Sequence, residues 1–305
     1  MQNNLWGIDL GGTKIEGAIL DAPSNPRVTF RERIPTEAFR GYEHMVSQIT
    51  RMFRKMSESA GYTAQRVGIA TPGTLDPQLG VMKNCNTTAL NGRPLKKDLE
   101  NALGAEILMA NDANCFALAE TRLGVVKERF PHAPVVFGVI MGTGVGGGLV
   151  VNGEVINGLQ GIGGEWGHNF LDASGGPCYC GKTGCVEKVL SGPALESFYQ
   201  MRSGTRKTMQ AIVSDAGADP VARETLERLT RFFGQAISVI INIVDPHVIV
   251  IGGGLGNIDL IYTEGVDHIR KNIFNNRVET PIVRPVLGDS AGVFGAAFLM
   301  DKKAK

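Results

Sequence analysis

The chain has 305 residues, with 31 Lys plus Arg against 30 Asp plus Glu and a net charge of +1. That length is enough for two lobes with cores of their own, and the even charge balance excludes both a basic nucleic-acid-binding tract and an acidic disordered tail. Hydrophobic and charged shares are ordinary for a globular protein, but the 40 glycines are not; they point to tight turns and to close backbone approaches to a ligand. No apolar run reaches the ~18 residues of a membrane helix. No signal peptide is expected, since the first residues lead directly into a strand. The five cysteines are odd in number and three are clustered, unlike a secreted disulfide framework. A cytoplasmic protein with a bound metal is expected.

In chain order, Leu5–Leu10 reads as a strand, Gly11, Gly12 and Thr13 as a turn, and residues 15–20 as a second strand. Residues 28–34 read as a third strand. Tyr42–Ala60 has helical spacing through Met45, Ile49, Met52, Phe53 and Met56. Residues 66–70 form a short strand running into Thr71, Pro72 and Gly73. Residues 94–103 read as a helix with proline at its first position. Residues 106–110 read as a strand, after which Asn111 and Asp112 cap a helix to Leu123. The opening design then returns: an apolar strand Val135–Met141, a glycine turn over 142–147, and a returning strand over 148–151. Two such units some 130 residues apart suggest a duplicated core. Pro220–Val244 reads as a long helix, and residues 247–251 as a buried strand ending at Gly252, Gly253 and Gly254. Residues 260–272 and 291–300 read as helices.

Gly142, Gly144 and Gly147 formally match a dinucleotide fingerprint. A helix would have to follow them to hold the pyrophosphate. A strand follows instead, which removes the dehydrogenase reading. A glycine hairpin still suits an anion, because its bare N–H groups converge without Cβ interference. The turns at 11–13, 142–147 and 252–254 all stand at carboxyl ends of strands, the ligand edge of an α/β sheet. The first two could hold phosphates and the third could admit a flat base.

Asn111, Asp112 and Asn114 exceed what a helix cap needs. A carboxylate at a helix N-terminus stays ionised, which suits a weak base in a loose phosphoryl-transfer transition state. His168, Cys178, Cys180 and Cys185 form a zinc ligand set whose four positions are all filled by protein, as in structural sites. Catalysis by that ion is not expected. Glu165, His168 and Glu187 flank the cluster, and such carboxylate and imidazole groups hold vicinal sugar hydroxyls in pairs.

These residues in this order resemble the ROK family of sugar kinases, within the actin, hexokinase and heat-shock ATPase superfamily. The resemblance covers nearly the whole chain, from residues 9–14 to residues 288–292. Its most specific motifs are C-x-C-G-x-x-G-C-x-E from Cys178 to Glu187 and G-E-x-G-H from Gly164 to His168. The resemblance implies a two-lobed actin-like (ribonuclease H-like) α/β fold with the active site in a cleft between the lobes. It implies an N-terminal lobe over 1–115, onto which a C-terminal helix over 291–305 packs back, and a larger lobe over 116–290. It implies ATP- and Mg²⁺-dependent phosphoryl transfer to a sugar hydroxyl, with a structural Zn²⁺. Asp112 matches the catalytic base. Gly73, Asn86, Asn111, Asp112, Glu165, His168 and Glu187 match sugar contacts. Asp9, Gly11, Gly12, Thr13, Lys14, Gly142, Thr143, Gly144, Gly146, Gly147, Gly253 and Gly254 match the nucleotide site, with Asp9 near Mg²⁺. His168 would use one ring nitrogen on zinc and aim the other at the sugar. Family members often dimerise, so a homodimer is an expectation. Repressors of the family carry a winged-helix domain ahead of the kinase-like part. Here the first strand starts near residue 5, and no nucleic-acid or membrane partner is expected.

For the sugar, three stretches disagree. Residues 84–92 resemble the N-x-N-[ST]-x-x-L-N-G stretch of fructokinases and mannokinases. Residues 111–120 and 141–153 are equally similar to N-acetylglucosamine kinases. The nine residues between His168 and Cys178 resemble glucokinase-like members. An unmodified hexose, fructose or mannose ahead of glucose, is the expectation, with N-acetylglucosamine as the alternative.

Overall fold

A computed structural model describes residues 4–22 and 25–301. The chain divides into two compact units, one of Met1–Pro134, Gly148–Gly164 and Val286–Lys305, the other of Val135–Gly147 and Glu165–Pro285.

The first unit is built on a five-stranded sheet. Its strands are β1 Leu5–Leu10, β2 Lys14–Leu20, β3 Val28–Pro35, β4 Arg66–Thr71 and, after a small hairpin of β5 Thr74–Leu75 with β6 Met82–Lys83, β7 Glu106–Asn111. The sheet order is β3-β2-β1-β4-β7, with β1–β2 and β2–β3 antiparallel and β4 parallel to both β1 and β7. β1 and β4 are buried along nearly their whole length because helices cover both faces. On the face of Ile8 and Ile69, Tyr42–Ala60 presents Met45, Ile49, Met52 and Met56, all fully buried. On the face of Gly7 and Gly68, the helix Ala291–Phe298 lies so close that a Cβ on Gly7 would meet Val293 O at 2.3 Å. Glycine there is a requirement of packing rather than of backbone conformation.

The second sheet repeats this plan. β8 Val135–Met141, β9 Val145–Val151, β10 Glu154–Val155, β11 Val248–Gly252 and β12 Ile282–Val283 stand in the order β10-β9-β8-β11-β12. β11 runs parallel to β8 and to β12, as β4 does to β1 and β7.

Several boundaries move. The lobe boundary expected inside the helix after Asp112 falls instead after Pro134. The reason is that the helix Asp112–Arg122 buries Ala113 to Glu120 and packs on Ala291–Phe298 within the first unit. The expected 142–147 turn is shorter, because Val145 already begins β9. Pro94 takes the N-cap of Leu95–Leu103 rather than its first helical position. Residues 259–261 form a 3₁₀ turn, so the helix expected from 260 starts at Glu264. The last helix ends at Phe298, and residues 302–305 of its expected span lie outside the described residues. Among the described residues, no helix is long and apolar enough to cross a membrane.

Candidate active site

In the first unit, the turn after β1 closes when Gly11 N–H donates to Lys14 O at 2.9 Å. Thr36, fully buried, clasps this turn from behind: its hydroxyl donates to Gly11 O at 2.7 Å and its N–H to Thr13 O at 3.0 Å. Nothing in the local pattern marks Thr36, which lies more than twenty residues from the turn it holds. Asp9 stands one residue before the end of β1, opposite Glu16, and burial, with the Asp112 and Glu16 carboxylates nearby, raises its carboxyl to about 7. Glu16 is fully buried but well neutralised. Arg33 Nε donates to it at 2.8 Å, Arg31 Nε lies at 3.2 Å, Lys14 Nζ at 3.9 Å, and Ser290 Oγ donates at 2.8 Å. The strand pair thus sets a row of cations beside the turn while keeping one carboxylate, Asp9, short of a partner of opposite charge.

Asn111 and Asp112 sit where β7 becomes the helix Asp112–Arg122. Both side chains accept from Ala113 N–H, at 2.8 and 2.7 Å. The protein around Asp112 raises its carboxyl above the ordinary aspartate range, against the lowering by Ala113 N–H and Asn111. Its side chain still reaches solvent, which limits the rise and leaves it open to a hydroxyl. Asn114, buried on the next turn, instead accepts from Leu149 N–H and donates to Gly163 O, so it braces the fold.

Gly73 and Asn86 are brought together by the loop over 84–92. Asn86 N–H donates to Pro72 O at 3.4 Å, and a Cβ on Gly73 would meet Cys85 Sγ at 2.5 Å. Asn84 adopts a left-handed φ of 57°. Asn91 accepts from Cys85 N–H at 2.9 Å and donates to Cys85 O at 3.1 Å. Thr87 Oγ1 lies 3.4 Å from where a Cβ on Gly12 would be, so the loop abuts the first glycine turn.

In the second unit, a ring nitrogen of His168 and the thiols of Cys178, Cys180 and Cys185 all lie within 4.8 Å of one another. That matches the roughly 3.8 Å edge of a tetrahedron with Zn–S bonds of about 2.3 Å, and one imidazole with three thiols is a donor set of structural zinc. Cys178 and Cys185 are buried while Cys180 is exposed. His168 turns Nδ1 toward Cys178 Sγ at 3.7 Å. Its Nε2, expected to aim at a sugar, has Tyr179 Oη at 3.0 Å. Tyr179 sits inside the cysteine motif, and its hydroxyl is a partner that spacing alone does not reveal. Glu165 precedes the 3₁₀ turn Trp166–His168 and Glu187 lies on the short helix Val186–Leu190, whose N-cap is Cys185. Glu187 accepts from Val145 N–H at 3.0 Å.

Gly142, Thr143 and Gly254 line a cavity of about 970 Å³ in the second unit, together with Gly192, Glu196 and Asn257. Gly144, Gly146, Gly147 and Gly253 do not line it; Gly146 and Gly147 belong to β9. The apolar share of the wall comes from Pro193, Met209, Leu226 and Leu255. Such a mixture of bare glycine backbone and apolar side chains suits a flat heteroaromatic group carrying phosphates.

The model of the ROK family matches residues 5–303. An N-acetyl-D-glucosamine kinase of Vibrio cholerae is 36% identical, covering 96% of this chain and 98% of its own. That of Pasteurella multocida is 35% identical, covering 98% and 99%. Among solved structures, the ROK hexokinase from Thermus thermophilus superposes with a TM-score of 0.86 at 30% identity, over 97% of each chain. A ROK family glucokinase from Streptomyces griseus, in complex with glucose and AMPPNP, gives 0.78 at 26% over 97% and 98%. With a family model across almost its whole length and relatives of this similarity at both levels, the chain belongs to the ROK family.

Proposed function

We propose that the chain is an ATP-dependent sugar kinase that phosphorylates N-acetyl-D-glucosamine on its 6-hydroxyl. The observation that carries this reading is the 35–36% identity to N-acetyl-D-glucosamine kinases over nearly the full length of both partners. It replaces the fructose or mannose expected from residues 84–92. The asparagines of that stretch have work inside the loop: Asn84 supplies a left-handed residue and Asn91 clamps Cys85. The presence of Asn84 and Asn91 therefore reflects loop geometry and does not specify a sugar.

In this reading Asp112 takes the proton from the attacking hydroxyl. The transition state is loose and the proton moves late, so a carboxylate is a strong enough base. Asn111, Glu165, His168 and Glu187 orient the sugar, joined by Gly73 and Asn86. Orientation matters because in-line alignment supplies much of the rate in phosphoryl transfer. The turn Gly11 to Lys14 and the turn Gly142 to Gly144 hold the phosphates, and the cavity beside Gly142 and Gly254 takes the base. Asp9 would hold Mg²⁺ near the phosphates, where it would supply positive charge. His168, Cys178, Cys180 and Cys185 would hold Zn²⁺ as a structural brace.

The reading is tested by ADP release on mixing protein, ATP and Mg²⁺ with N-acetyl-D-glucosamine, glucose, mannose or fructose, and by locating the phosphate on the product. Release with N-acetyl-D-glucosamine and a 6-phosphate product is expected. No release with any of the four sugars contradicts the kinase reading. Release with glucose alone keeps the kinase and moves the substrate to that of the glucokinase neighbour.

A further inference from the structure

The turn between β8 and β9 is gripped from outside by two segments, and each carries a ligand of the metal cluster. The first segment is the 3₁₀ turn that ends at His168. Trp166, buried beneath it, donates Nε1–H to Gly146 O at 2.9 Å. Gly167 lies so close that a Cβ there would stand 2.0 Å from Val145 O. The second segment is the helix Val186–Leu190, which starts from Cys185. Glu187 accepts from Val145 N–H at 3.0 Å, and a Cβ on Gly144 would stand 2.6 Å from the same carboxylate oxygen. At the other end of that helix, Gly192 N–H donates to Gly142 O at 2.8 Å. Three hydrogen bonds and two close approaches thus fall on residues 142, 144, 145 and 146, and they come from the segment that ends at His168 and the one that starts from Cys185.

A glycine turn has little shape of its own, because each glycine is free to leave its conformation when nothing holds it. Its ability to present N–H groups to an anion therefore depends on what fixes it. Here the fixing groups are a carboxylate and an indole, both tied into the metal-ligand segments. We propose that Glu187 and Trp166 are positioning residues for the nucleotide-phosphate turn, so that the segment matched to sugar binding also sets how tightly ATP is held. The inference rests on the kinase reading, in which residues 142–144 carry phosphates. The carboxylate oxygen Oε2 of Glu187 serves Val145 N–H. Loss of the side chain therefore weakens nucleotide binding even when no sugar is present, which a residue serving the sugar alone would not do.

The test is the dissociation constant of AMPPNP with Mg²⁺, measured by calorimetry without sugar on zinc-loaded protein. Glu187→Ala is expected to weaken binding roughly tenfold, the scale of losing a charge-assisted hydrogen bond. Glu187→Gln, whose amide oxygen still accepts from Val145 N–H, is expected to stay within about twofold of wild type while losing affinity for sugar. Trp166→Phe keeps an aromatic ring but removes the pyrrole part of the indole with its donor to Gly146, and is expected to weaken AMPPNP binding several-fold. Wild-type nucleotide affinity in Glu187→Ala, or an equal loss in Glu187→Gln, overturns the proposal. Wild-type affinity in Trp166→Phe removes Trp166 from it. If the unmodified protein binds no AMPPNP at all, the kinase reading fails instead.

Discussion

Asp9 and Asp112 are both aspartates above their ordinary range, and for different uses. Asp9 is raised to about 7 by burial and by two neighbouring carboxylates. A carboxyl whose folded value is raised favours the protonated native state, so its stability contribution is whole at low pH and is lost as pH rises through about 7. Asp9→Asn is therefore expected to approach wild type in thermal midpoint only toward about pH 4, the ordinary aspartate range, and to pull ahead as pH rises to about 7. In the absence of nucleotide and metal it should exceed wild type by roughly 3–6 °C near about pH 8. A midpoint no higher than wild type at the higher pH would contradict the assignment of strain to Asp9. The same variant should lose MgATP turnover, since in the proposed reading the charge that burdens the apo protein is the one that would hold the cation. In the proposed reading Asp112 takes the proton of the attacking hydroxyl. Asp112→Asn should lower kcat by about 10²–10⁴ while sugar affinity, read by calorimetry, changes only a few-fold. An unchanged kcat removes it from the role of base. Because its carboxyl must be ionised to accept a proton and is raised by its surroundings, kcat should climb as pH rises from acid toward neutrality.

Individual elements are held where the chemistry needs them by polar groups that serve backbone. Glu120, on the same helix as Asp112 and fully buried, accepts from Val125 N–H at 2.9 Å, Leu287 N–H at 3.0 Å and Val286 N–H at 3.2 Å. One carboxylate thereby joins the end of the Asp112 helix to the next helix and to the segment leading into Ala291–Phe298. Burial raises its carboxyl and the three donors pull it back down. Glu120→Leu should cost about 2–4 kcal/mol, since three buried N–H groups lose their acceptor. Equilibrium denaturation checks this, and a change near zero would mean that water replaces the side chain. On the other unit, Cys180→Ser removes one donor from the metal set. The variant should hold less zinc, read by elemental analysis, and show a higher sugar KM. Zinc loss with an unchanged sugar KM would separate the brace from sugar binding.

At the scale of the whole molecule, the two five-stranded sheets share one plan, a glycine hairpin followed by two parallel strands. That duplication is visible in sequence because both hairpins combine an apolar strand with a run of glycines. The metal donors are equally visible, three of them lying within eight residues. What sequence does not reveal is the set of groups that hold these features. Thr36 on Gly11, Trp166 on Gly146 and Glu187 on Val145 are contacts between segments some 20 to 42 residues apart. No periodicity encodes such a contact. The walls of the cavity beside Gly142 and Gly254, from Gly192, Glu196 and Met209, come from helices whose residue types mark them only as helices. The lobe boundary differs for a related reason: the chain passes between the two units four times, where the sequence leads one to expect one passage out and a return by the last helix.

The substrate is where the account is most exposed. The most direct test is kcat/KM for N-acetyl-D-glucosamine and for glucose, mannose and fructose, at saturating MgATP. The account predicts that N-acetyl-D-glucosamine exceeds each of the other three by at least about tenfold, the discrimination worth roughly 1.4 kcal/mol in the transition state. A higher kcat/KM for fructose or mannose than for N-acetyl-D-glucosamine would contradict it.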